Sequence, residues 1–174
     1  DLTNLQRQIL HTTQSIGLAE ALGFPYETKE LRFNFLNHLS TRVRGASTLG
    51  LNKERSAPLK PPWADLVIST GQRTAPVARW IAQQSRGRTR LVQLGHRGGE
   101  TIDAFDLVVA CAHFRLPLHP RRMEIIAPLN AVTPQRLAQA TAHWRGLFDS
   151  APHPHVALVV GGTSARHRLA PETA

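Results

Sequence analysis

The sequence predicts an α/β domain of Rossmann-like type, three layers deep around a mainly parallel sheet, and three observations carry that expectation. Short apolar runs bounded by turn formers recur from Pro62 onward. Helical patterns with start and stop signals separate those runs. At the clearest junction, glycine and arginine stand where a strand gives way to a helix: Leu66-Val67-Ile68 is followed by Gly71-Gln72-Arg73-Thr74, then Ala75-Pro76. Gly71 allows a sharp turn, Thr74 suits an N-cap and Pro76 is tolerated in a first helical turn. Arg73 and the free N–H groups of such a helix start would then face the carboxyl end of the sheet, where open α/β proteins bind ligands. The same residues also suit an ordinary turn with a solvated arginine.

Taken in order, residues 5–22 place apolar side chains at helical spacing and meet a C-capping glycine at Gly23. Pro25 ends that pattern, and residues 27–33 alternate polar and apolar as a short strand does. Residues 34–62 are broken by Gly45, Gly50, Pro58, Pro61 and Pro62, and read as an irregular, exposed and mobile connection with short helices. Strands are expected at residues 65–69, 89–94, 106–111 and 123–126, with a helix over 74–84 between the first two. Thr133-Pro134 supplies an N-cap with proline behind it, and Leu137, Ala140, Trp144 and Leu147 then share one helical face.

Residues 151–155, Ala-Pro-His-Pro-His, read as a linker, and Val156-Ala157-Leu158-Val159-Val160 as a strand that runs into Gly161-Gly162-Thr163-Ser164. Two glycines and two hydroxyls after a strand can form a phosphate-sized nest of N–H groups, although many such loops bind nothing. The division expected is a first domain over residues 1–150 and the entry of a second over 151–174. A start at Asp1 leaves room for upstream sequence.

With 174 residues, 41% of them hydrophobic and 19% charged, the composition is that of a globular protein, without a signal peptide or an apolar run long enough to span a bilayer. Cys111 is the single cysteine, so no internal disulfide forms, and its place in an apolar run suits a small core residue in a reducing compartment better than a nucleophile. The net charge of +9 comes from 18 arginines and 3 lysines against 12 acids. Arginine grips phosphate and carboxylate through paired hydrogen bonds, which points to anionic partners such as nucleotide-sugar phosphates or an anionic lipid surface. Scattered arginines without zinc-finger spacing or base-stacking aromatics argue against nucleic acid. His153, His155 and His167 are too loosely spaced for zinc, and no Asp-x-Asp pair is present for a metal. A nicotinamide site is set aside because no G-x-G-x-x-G precedes an acid at ribose-binding distance.

Several segments, in sequence and order, resemble the mitochondrial-fission-like family of glycosyltransferase-type proteins found in bacteria and plants. They are Gly17-Leu18-Ala19-Glu20-Ala21-Leu22-Gly23, Pro62-Trp63-Ala64-Asp65-Leu66-Val67-Ile68, Gly71-Gln72-Arg73 with Ala78-Arg79-Trp80, Val92-Gln93-Leu94-Gly95, Phe105-Asp106-Leu107-Val108-Val109, and Ala157-Leu158-Val159-Val160-Gly161-Gly162-Thr163-Ser164. The resemblance covers most of the chain from Gly17 onward. It implies one half of a GT-B architecture, in which the first domain holds the acceptor and the second a nucleotide-sugar. It also implies a strand and glycine loop ahead of the first helix, which these residues do not display, and a turn at residues 71–73 in which arginine is expected where Gln72 stands. The substrate-binding residues that follow are Gly71, Gln72, Arg73, Arg97, Gly161, Gly162, Thr163 and Ser164.

Departure of a diphosphate can be assisted by N–H groups and arginine without metal or cofactor, and an inverting transfer needs a base. His96, Glu100 and His113 follow expected strands and are the candidates, each of which also reads as a solvated loop side chain. The expected partners are a nucleotide-sugar donor and an unidentified acceptor, lipid-linked acceptors included, and the expected setting is the cytoplasm, with peripheral contact at the anionic inner membrane. The alternative is a non-catalytic protein that docks on a membrane or a protein partner.

Overall fold

Short runs of β-forming residues lie side by side in one sheet in the computed structural model, which describes residues 2–4, 9–95, 102–150 and 152–158. The strands are β1 (Leu2–Asn4), β2 (Tyr26–Thr28), β3 (Leu66–Thr70), β4 (Arg90–Leu94), β5 (Leu107–Cys111) and β6 (Arg122–Ile125). Their order is β2-β1-β3-β4-β5-β6, and every neighbouring pair is parallel. Parallel neighbours need crossovers. Helix α1 (Ile9–Leu22) provides the one between β1 and β2, and α3 (Ala75–Gln84) the one between β3 and β4.

Alternation along the strands divides the core between the two faces. Val67, Leu91 and Val108 join Val77, Ala78 and Ile81 of α3, together with Leu31, Leu51 and Phe105, in one cluster. Ile68, Leu94 and Val109, an odd number of residues along the same strands, join Ala19 of α1 in the other, with Leu18, Ile125 and Leu129 packed against it. Helices on opposite faces are what right-handed crossovers produce when the chain moves one way from β1 to β2 and the other way from β3 to β4. The expected three-layer α/β arrangement is therefore the one found. Cys111 is a buried, free thiol, as its apolar setting predicts.

Three expectations need correction. A strand does precede the first helix: β1 consists of Leu-Thr-Asn and pairs with both β2 and β3, so pairing and not an apolar run defines it. The alternating stretch at residues 27–33 yields only the short β2, followed by an isolated antiparallel bridge between Phe33 and Leu51. The segment over 34–62 is not a loose connection. It holds a 3-10 turn (Phe35–His38) and α2 (Thr41–Arg44), and it buries Asn37, Arg44 and Leu51. Backbone bonds from Asn52 N to Arg32 O and from Ala57 N to Glu30 O, both 2.8 Å, tie it down.

Gly17 shows how closely α1 approaches the rest of the domain. A Cβ there would lie 2.2 Å from the Asn130 carbonyl oxygen, so only glycine fits. The chain divides into two units, residues 1–131 and 132–174. In the second, α4 (Pro134–Phe148) starts as expected, with the Thr133 hydroxyl accepting from Arg136 N at 3.2 Å. Its apolar residues Leu137, Trp144, Leu147 and Phe148 are all exposed. Of the strand expected at 156–160, residues 156–158 carry no pairing and the rest lie outside the described residues.

Candidate functional site

The strand order reverses between β1 and β3, and open α/β folds bind ligands beyond the carboxyl ends of the strands at such a switch point. The turn at residues 71–74 after β3 borders it. Gly71 takes φ +76, a left-handed conformation that glycine adopts without strain. Its N–H donates to Leu94 O at 2.9 Å, so the turn is joined to the end of β4. Thr74 does not cap α3. Its hydroxyl donates backward to Thr70 O (2.9 Å) and Gly71 O (3.2 Å), and its backbone is already helical.

Below the turn lies a buried polar network. Gln93, fully enclosed in β4, donates to Gly71 O at 2.9 Å and to Leu94 O at 3.2 Å, and its amide oxygen accepts from the Ser69 hydroxyl at 2.5 Å. The Ser15 and Thr70 hydroxyls are bonded to each other, which ties α1 to the same strand end. Buried polar groups satisfied in this way hold a single geometry.

Arg44 is the residue that reasoning from sequence missed. Its guanidinium is buried and reaches from α2 to the turn, donating to Gln72 O (3.1 Å) and Arg73 O (3.2 Å), and also to Asn37 Oδ1 (2.7 Å) and Leu39 O (3.1 Å). Burial, and then the like charge of Arg73, lowers its pKa from the ordinary arginine value. Among the described residues neither Arg44 nor Arg73 has a carboxylate partner. Two cations thus meet at one turn, with Arg73 exposed. The only signal in the sequence was Arg42-Val43-Arg44 in an otherwise irregular stretch, which reads as solvated.

The structure brings Gly71, Gln72 and Arg73 together with Gly95, whose N–H donates to Val109 O at 3.1 Å. Parallel strands put these turns on one edge, as expected. His113 follows β5 at that edge, exposed in a 3-10 turn between half-buried Ala112 and Phe114, its ring 4.1 Å from that of Phe114. β4 lies between β5 and β3. His96, Arg97, Glu100, Gly161, Gly162, Thr163 and Ser164 lie outside the described residues. A cavity of about 420 Å³ lined by Lys29, Lys60, Trp63 and Asp65 opens at the start of β3, the opposite edge from these turns.

A family model described as mitochondrial fission ELM1 matches residues 11–174. The chain belongs to that family. No curated protein and no solved structure matches it. In this ELM1-family chain the match includes the turn at 71–74, Arg44 and His113. No helix among the described residues is long and apolar enough to cross a membrane.

Proposed function

We propose that this ELM1-family chain is the acceptor-side α/β part of a GT-B-type glycosyltransferase that moves a sugar from a nucleotide-sugar to an acceptor hydroxyl. The observation that carries this reading is the turn at 71–74: a rigid strand-end turn at the switch point, charged by Arg73 and by Arg44 beneath it, with no acid partner among the described residues. Such a turn favours an anion through fixed donors that need no reorganisation. In the transfer, the bond between the anomeric carbon and the diphosphate oxygen breaks, the acceptor oxygen forms the new bond, and its proton passes to a base. His113, His96 and Glu100 are the bases proposed. Gln72, Arg73 and Arg97 supply donors on the acceptor side, Gly71 shapes the turn with its own N–H committed to Leu94 O, and Gly161, Gly162, Thr163 and Ser164 supply a nest for the diphosphate.

The test is release of nucleoside diphosphate from a panel of nucleotide-sugars by the protein in its natural length. Arg73→Ala should lower turnover by about a hundredfold or more, the range for losing one charge-stabilising donor. Absence of release from every nucleotide-sugar would overturn the reading in favour of a non-catalytic docking protein, which the net charge of +9 also suits.

A further inference from the structure

The segment that carries Arg44 presents a second feature on its outer side. Phe35 in the 3-10 turn, Leu39 in the extended link that follows it and Val43 in α2 have exposures of 78%, 41% and 66%. Leu49, also exposed, follows. Their neighbours Asn37 and Arg44 are buried. The backbone that displays them is held by Asn34, whose side chain accepts from Leu36 N at 3.0 Å, by Ser40, which accepts from Val43 N at 3.3 Å, and by the four hydrogen bonds of Arg44. Large apolar side chains fixed outward in this way cost hydration free energy unless something covers them.

Charge identifies the cover. Around this segment the exposed cations are Arg32, Arg42, Lys53, Arg55 and Lys60 against exposed Glu30 and Glu54, while Lys29 pairs with Glu27 and Arg44 is buried. A second copy of this chain would bring equally basic segments together, on molecules each of net charge +9. Apolar side chains among cations instead match the boundary between anionic headgroups and acyl chains, which accepts Phe, Leu and Val and attracts Lys and Arg.

We propose that residues 34–49 form an interfacial foot that seats the protein on an anionic lipid surface. Because Arg44 joins the foot to the carbonyls of Gln72 and Arg73, docking holds the turn at 71–74 at a set position relative to the bilayer. Resting on the glycosyltransferase reading for its purpose, this places the acceptor among lipid-linked molecules.

The experiment is co-sedimentation of the whole chain with phosphatidylcholine vesicles, with and without phosphatidylglycerol. Binding is expected only to the anionic vesicles. The double variant Phe35→Ser/Val43→Ser should bind about tenfold more weakly, the loss expected from removing apolar burial. Leu118→Ser, at a fully exposed leucine outside the foot, should bind as wild type does. Val43→Cys carrying an environment-sensitive dye covers the case in which the double variant fails to fold, and its emission should shift to the blue on anionic vesicles. No binding, equal binding to neutral vesicles, unchanged binding by the folded double variant or an unshifted dye would each overturn the foot. So would a dimer of the wild type that the double variant abolishes, or an acidic protein partner that blocks the dye in place of lipid. Vesicle binding without nucleotide-sugar turnover would sustain the foot while overturning the enzyme reading.

Discussion

The turns that follow β3 and β5 leave the same edge of the sheet and are supported in different ways. Residues 71–74 rest on buried Gln93, Ser69 and Arg44, and the left-handed position is filled by Gly71. The turn after β5 holds His113 exposed, and its left-handed position falls on Arg115, at φ 47, where a side chain is disfavoured. A backbone bond from Arg115 N to Ala112 O, 3.0 Å, closes it. A fold that needed both turns only to reverse the chain would not bury an amide and a guanidinium under one of them. The contrast teaches that the first turn is held to one shape, which is the property an anion site of the kind proposed requires.

The most severe way to break the contrast is Arg44→Met. Methionine keeps much of the length but leaves the carbonyls of Leu39, Gln72 and Arg73 and the Asn37 amide oxygen without their donor. Leaving buried acceptors unpaired costs about 1–3 kcal/mol each in full, and partial access of water reduces the sum to about 3 kcal/mol. Urea unfolding should show that loss, and anion binding at the turn should fall with it. Gln93→Leu is the next test, because it removes the donor to Gly71 O and the acceptor of the Ser69 hydroxyl. A loss of about 2 kcal/mol is expected. An unchanged urea midpoint in either variant would show that the turn does not depend on its buried support.

How far the sequence announced this arrangement differs from element to element. β3, β4 and β5 were legible because central parallel strands must be apolar on both faces, and Leu66-Val67-Ile68 or Leu107-Val108-Val109 can hardly be anything else. β1 was not legible: three residues of Leu-Thr-Asn carry no periodicity, and only their two partners make them a strand. The segment over 34–62 escaped for a related reason, since its order comes from single tertiary bonds such as Asn34 N to Gly50 O, which leave no period in the sequence. The turn at 71–74 was visible in Gly71 and Arg73. Thr74 looked like a cap, but its hydroxyl found nearer acceptors in Thr70 and Gly71. Arg44 was hidden because a buried arginine and a solvated one are spelled alike.

A control at the opposite edge sharpens the comparison. Asp106 accepts from Leu91 N at 2.8 Å and from Arg90 at 2.7 Å, between the starts of β4 and β5. Burial pushes its pKa up, but the Leu91 N–H, the Arg90 guanidinium and the more distant Arg121 outweigh this and hold it below the usual carboxylate value. A depressed pKa contributes stability above the unfolded value, about 3.9, that is lost as pH falls through the folded value. Asp106→Asn should therefore lower stability at neutral pH and flatten the dependence below about pH 4. Its side chain is 39% exposed, so solvent screening keeps the effect under about 1 kcal/mol. A loss as large as that of Arg44→Met would mean that the carboxyl edge is not specially braced.

The smallest effect on folding should come from His113→Ala. The ring is exposed and packs against that of Phe114, so removing it costs the small apolar overlap of two neighbouring rings. Surface changes of this kind stay within about 0.5 kcal/mol. If His113 is the base of a transfer, the same variant should nonetheless lower turnover by about a hundredfold, because general base catalysis contributes that much or more. Chemical denaturation and turnover measured on one preparation separate the two quantities. A stable variant with lost turnover would give the turn after β5 a chemical role that its plain construction leaves free. A stable variant with full turnover would assign the proton to another residue and leave the turn after β3 as the charged partner at this edge.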